Sequence, residues 1–305
     1  MPPALSVEVA GLRLSNPVIA SSGTFGYGVE FAPLVDLNRL GGLVVKGLSL
    51  EPMDGAPAPR VCETASGMLN AVGLQNIGVR AFVAEKLPLL RSYRTAVVAN
   101  IFGSTVEEYA QVIQILEDAE GLAAYELNIS SPNAKQGGLH FGREPTTAAE
   151  VVSAARRAAV KRPLWVKLSP LTADIGGMAR AVSQAGADAL TIANTYPAMS
   201  LDPVSRKSRL GRLSGGLSGP AIKPITLKLV NEAANAVKTP ILGLGGIATA
   251  DDILEYLLAG ATAVQVGTAH FVDPRASERL VTSLEGRLSE LNISDINDLR
   301  SAMST

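Results

Sequence analysis

The chain has 305 residues, which exceeds the usual domain size but not that of an α/β barrel folded as one unit, and its 47% hydrophobic content with 29 glycines and 18 prolines suits a large core with many tight turns and excludes a disordered chain. With 27 basic and 28 acidic side chains the net charge is −1 and neither sign forms a long block, which argues against nucleic acid and anionic membrane surfaces as partners. A single cysteine, Cys62, excludes an intrachain disulfide and a self-contained iron–sulfur cluster, and it points to a reducing, cytoplasmic setting. Met1 to Asn16 lacks the order of a signal peptide, and no apolar run approaches the roughly 20 residues needed to span a bilayer, so a soluble protein is expected.

In chain order, Leu5 to Leu14 alternates apolar and polar residues around Ala10-Gly11 and predicts a small hairpin that plugs the closed end of a barrel. Pro17 to Ala20 is the first barrel strand and Gly41 to Val45, ending at Lys46, the second. An excursion from Gly47 to about Gly78 is long enough inside one domain to be functional. Ala96 to Asn100 is the third strand, and Ser104 to Glu107 has capping-box spacing at the start of a helix. Tyr125 to Ile129 is the fourth, stopping in the polar cluster Asn128, Ser130, Ser131 and Asn133, where Pro132 forces the exit from the sheet.

A helix from about Thr146 to Val160 leads into Leu164 to Ser169, which carries Lys167. Asp174 to Ala185 is helical, and Ala189 to Asn194 is the sixth strand. Tyr196 to Leu217 is basic, Ser/Gly-rich and without clear periodicity, and is expected to be a mobile cover over the site. Gly219-Pro220 opens a helix to about Val237, Ile241 to Gly246 is strand seven, Thr249 to Asp252 caps the next helix, and Ala263 to Thr268 is strand eight. The fold expected is a single α/β domain over residues 1–305, a (β/α)8 barrel with an N-terminal β-hairpin and two long strand-end insertions.

In such barrels a phosphate commonly sits between the loops after strands seven and eight. Those loops begin Gly245-Gly246 and Gly267-Thr268, and Gly219 opens a neighbouring helix, so backbone amides are available to an anion. Lys46 and Lys167 each end an apolar strand; a lone lysine there is ordinarily solvated, but two on the catalytic face place fixed positive charge where negative charge develops. Asn70, Asn100, Asn128, Asn133 and Asn194 offer paired donors and acceptors suited to a planar imide or urea group, although each alone is an ordinary turn residue. Ser131 is the candidate proton acceptor, weighed evenly against a turn serine before proline, while His140 and His270 are read as surface or packing residues.

Together these residues resemble the dihydroorotate dehydrogenase family, most closely the catalytic flavin subunit of class 1, subtype B. The resemblance rests on Asn16 to Gly26, Lys46-Gly47, Met68 to Asn76, Leu127 to Asn133, Lys167 to Ser169, Asn194-Thr195, Gly215 to Pro224, Gly245 to Ile247 and Val266 to Thr268, and covers nearly the whole chain. It implies FMN-dependent oxidation of dihydroorotate to orotate in de novo pyrimidine biosynthesis, with hydride passing to the flavin and a proton to Ser131. It implies that Lys46, Asn70, Gly73, Leu74, Asn128, Asn133, Asn194 and Thr195 hold the substrate. Ser22, Lys46, Asn100, Asn128, Lys167, Gly219, Gly245, Gly246, Gly267 and Thr268 are implied to contact FMN, with Lys167 also steadying the reduced ring. Ser131 departs from the pattern, since subtype B places cysteine there. A partner subunit carrying FAD and an iron–sulfur cluster is implied, in a homodimer or heterotetramer, or else reoxidation by fumarate or a quinone. A flavin oxidoreductase acting on another dihydropyrimidine and a non-catalytic flavin-binding partner are the rival readings.

Overall fold

Short apolar runs flanked by glycine and polar residues become strands buried on both faces, the pattern expected of parallel sheets covered by helices. In the computed structural model, which describes residues 2–130 and 141–300, these are β1 (Val18–Ala20), β2 (Gly42–Val44), β3 (Ala96–Ile101), β4 (Ala124–Asn128), β5 (Leu164–Lys167), β6 (Ala189–Ile192), β7 (Ile241–Leu244) and β8 (Ala263–Val266). Each pairs in parallel with its neighbour in sequence, and β8 closes onto β1 through Val264 with Val18 and Gln265 with Ile19. The closed parallel barrel expected from the sequence is therefore the fold. No helix among the described residues is long and apolar enough to cross a membrane.

The N-terminal hairpin pairs Val7–Val9 with Leu12–Leu14. Its turn residues Ala10 and Gly11 both lie at positive φ, 52° and 80°, as a two-residue type I′ turn requires. Val7, Val9 and Leu14 belong to the main core. Two of the expected helix starts can be compared atom by atom. Thr249 caps Ala250–Leu258 with a complete capping box to Asp252. The helix Val106–Glu117, by contrast, starts one residue later than the Ser104 spacing suggests. Thr105 is its cap, accepting from the Glu108 amide at 3.3 Å, and the Glu108 carboxylate accepts from the Ser104 amide at 2.6 Å. Adjacent Ser and Thr can both cap, and the choice falls to the register that buries Tyr109.

The larger correction concerns the second excursion. Its lack of periodicity suggests an irregular segment, but Tyr196–Ala198 and Gly215–Ser218 are strands of a four-stranded antiparallel sheet. The other two strands, Val61–Thr64 and Gly67–Asn70, come from the first excursion. Gly216 sits opposite Asn70 in that sheet, and a Cβ there would lie 1.9 Å from Thr195 Oγ1, so only glycine permits the approach.

Candidate active site

At the C-terminal ends of the barrel strands, beneath the four-stranded sheet, lies a cavity of about 1220 Å³. Lys46 follows β2, Asn100 lies on β3, Asn128 ends β4, Lys167 ends β5, and Asn194 and Thr195 follow β6; all line it. Asn70, Gly73 and Leu74 enter from the first excursion and Ser22 from the loop after β1. Gly219, Gly245, Gly246, Gly267 and Thr268 line its far corner. Every described residue of the expected site thus meets in one place. Ser131, Asn133 and His140 lie outside the described residues. His270 is a packing residue as expected, 3% exposed, bonded to Ser277 Oγ at 2.8 Å and packed against Phe25.

The far corner has the chemistry of an anion site. Among the described residues, the amides of Gly246, Gly267 and Thr268 donate to no protein acceptor. Gly246 adopts φ 71°, and a Cβ on it would lie 2.8 Å from the Gly219 carbonyl oxygen. The short helix Ala269–Val272 starts here, although with only four residues it adds little field of its own.

On the same cavity wall the two lysines carry charge without a carboxylate partner among the described residues. Lys167 is 5% exposed, and its Nζ donates to Ser22 Oγ at 3.3 Å. Burial pushes its ammonium below the usual lysine range, and the negative charge of Glu126 pulls it back up. Lys46 is half-buried and is also pushed down, first by burial and then by the positive charge of Arg60, with Glu30 opposing.

Beneath Asn100 and Lys167 the barrel interior holds a polar layer that sequence reading missed. Glu126, fully buried, accepts from Asn100 Nδ2 at 2.8 Å, Thr191 Oγ1 at 2.7 Å and Gln265 Nε2 at 2.5 Å. Nδ2 of Asn100 is committed to Glu126, and its Oδ1, packed against Gly47, is a buried acceptor with no partner among the described residues. Such an unmet acceptor costs stability. The only local signal was an acidic residue inside an apolar run, Tyr125-Glu126-Leu127.

A buried cation and a cradle of backbone amides that make no bond among the described residues, both on the wall of one cavity, fit a planar cofactor that gathers negative charge and carries a phosphate tail. The class defined by fold and site is therefore an α/β-barrel enzyme of flavin type. The chain belongs to the dihydroorotate dehydrogenase family: the model of that description matches residues 4–288. It is 56% identical over 299 residues to "Putative dihydroorotate dehydrogenase A (fumarate)" of Solibacter usitatus, covering 98% of each chain. It is 52% identical over 303 residues to "Dihydroorotate dehydrogenase B (NAD(+)), catalytic subunit" of Geotalea uraniireducens, covering 99% of each, which supports the subtype B resemblance. The crystal structure of DHODH from Eimeria tenella in complex with ferulenol superposes with a TM-score of 0.83 at 22% identity, covering 98% of this chain and 88% of that one, and shows the shared fold.

Proposed function

We propose that this protein oxidises dihydroorotate to orotate with FMN as its cofactor, in pyrimidine biosynthesis. The observation that carries the reading is the pairing, within one cavity, of two lysines and a corner of backbone amides that have, among the described residues, no carboxylate partner and no acceptor respectively. FMN, when bound, supplies the acceptor for the hydride leaving the substrate ring. In this reading Gly219, Gly245, Gly246, Gly267 and Thr268 hold its phosphate end, and Ser22, Asn100 and Lys167 hold its ring. Asn100, fixed by Glu126, would support the wall on which the ring rests, and the ammonium of Lys167 would stabilise negative charge that develops beside it.

Lys46 and the carboxamides of Asn70, Asn128, Asn133 and Asn194 hold the dihydropyrimidine and its carboxylate in register, with Gly73, Leu74 and Thr195 closing the pocket. Ser131 takes the proton from carbon 5 of the substrate. A base in this position typically contributes ~10²–10⁴-fold. Ser131→Ala therefore slows anaerobic bleaching of the flavin by dihydroorotate by roughly that factor, and a change below about threefold removes Ser131 from the role. Titrating the purified yellow protein with dihydroorotate tests the reading itself. Bleaching by dihydrouracil instead would establish a different dihydropyrimidine as substrate, and bleaching by neither would establish a flavin-binding protein without turnover.

Reoxidation in this proposal runs through a partner subunit bearing FAD and an iron–sulfur cluster, which a chain with one cysteine cannot hold itself, with fumarate or a quinone as the alternative acceptors. The phrase "catalytic subunit" in the name of the 52%-identical relative supports it. The 56%-identical relative carries "fumarate" in its name. Adding fumarate to the reduced, partner-free protein separates the two: rapid return of the yellow colour overturns the need for a partner.

A further inference from the structure

Ser130 is 1% exposed and lies between the tips of β4 and β6, one residue before the candidate base. Its hydrogen bonds have a fixed direction. The Thr195 amide lies 2.7 Å from one terminal atom of Asn194, and an amide N–H only donates, so that atom is Oδ1. Asn194 Nδ2 then donates to Ser130 Oγ at 2.9 Å. The hydroxyl proton must go elsewhere, and it goes to Asn128 Oδ1 at 3.2 Å. The Ser130 amide points at the same Oδ1 at 3.4 Å, which independently marks that atom as the oxygen. Both carboxamide oxygens are thereby occupied from behind. What remains on the cavity wall is N–H: both hydrogens of Asn128 Nδ2 and one of Asn194 Nδ2.

We infer that Ser130 is a positioning residue whose hydroxyl, linking Asn128 to Asn194, holds both carboxamides as donors toward the cavity and so selects a ligand that presents carbonyl or carboxylate oxygens. Asn100 is fixed in orientation in a similar manner, its Nδ2 held by Glu126. The donors that Asn128 and Asn194 present are therefore set by the single hydroxyl between them. A carboxamide free to rotate would serve either kind of ligand atom, so the hydroxyl acts on discrimination more than on rate.

The inference rests on the pyrimidine reading above and is tested on the FMN-loaded protein. Orotate, and an analogue with one ring carbonyl replaced by an amino group, are titrated while the flavin absorbance is followed. Ser130→Ala removes both hydrogen bonds of the hydroxyl and is expected to weaken orotate ~2–12-fold and to narrow the preference for orotate over the amino analogue, with FMN retained and only a small fall in melting temperature. Ser130→Thr keeps the hydroxyl and is expected to restore the preference. Unchanged orotate affinity in Ser130→Ala overturns the inference. So does a loss of affinity that tracks equal losses of FMN and melting temperature and is not restored by threonine. A wild-type holoenzyme that binds no orotate sinks the pyrimidine reading instead. The orienting role is then read from the side-chain amide resonances of Asn128 and Asn194, which must shift in Ser130→Ala and return in Ser130→Thr.

Discussion

Strand β5 carries a cation at each end, and the two are treated in opposite ways. Arg162, just before the strand, donates to the carbonyl oxygens of Leu116, Glu117, Ala119 and Leu122 and to Tyr125 Oη, and stands 4.0 Å from the Glu117 carboxylate. Its donors close the end of the helix Val106–Glu117, where unpaired carbonyls would otherwise remain. Lys167, at the strand's far end, is more deeply buried yet makes, among the described residues, a single hydrogen bond, to Ser22. A saturated charge stabilises the fold. An unsaturated one is a cost tolerated for what it does to a ligand, so the same strand separates stability from function along its length.

The sharpest way to break this comparison is to remove each charge in turn. Lys167→Met is expected to slow anaerobic flavin reduction on the order of 10²–10³-fold, the loss typical of one preorganised electrostatic contact. Its stability in denaturant titration should equal or exceed that of the wild type, because a buried charge that forms no ion pair among the described residues is replaced by an apolar side chain of similar length. A clear loss of stability with little loss of rate would place Lys167 in the structural class. Arg162→Ala should do the reverse, costing on the order of 3 kcal/mol in denaturant titration as helix-end carbonyls and Glu117 lose their partner. The folded fraction should still bleach at the wild-type rate.

The smallest effect concerns acid. Burial, the dominant cause, pushes the imidazole of His270 down to about 4, against an ordinary value of ~6.5. The unfolded chain therefore binds the proton first as pH falls. The stability associated with neutral His270 is fully present above about 6.5 and is lost as pH drops toward about 4, with a slope of up to ~1.4 kcal/mol per pH unit. His270 follows β8 beside the glycine corner, so stability-versus-pH curves for wild type and His270→Gln should diverge only in that window. Parallel curves through it would mean that His270 is not the group responsible.

What the sequence could and could not disclose follows the same geography. Lys46 and Lys167 stand out locally, since a charge ending an apolar run is conspicuous, and the glycine pairs after β7 and β8 are legible because a barrel's topology says where those loops meet. Glu126 is hidden because its partners Asn100, Thr191 and Gln265 sit on three other strands, and no spacing links them. The sheet over the cavity is hidden for a related reason. Asn70 bonds the Gly216 carbonyl across 146 residues of chain, and strands this short and rich in glycine carry no periodicity to read. Ser130 was visible only as part of a polar cluster, since its role depends on the direction of bonds and not on residue type.

That sheet has a consequence for inheritance. Its four strands come two from each excursion, and the steric fit of Gly216 against Thr195 joins them into one piece. Neither half can be exchanged alone: a chimera that imports only the segment after β6 from a relative would bring a strand cut to another mate. Variation in the roof of this site should thus travel as matched pairs of distant segments.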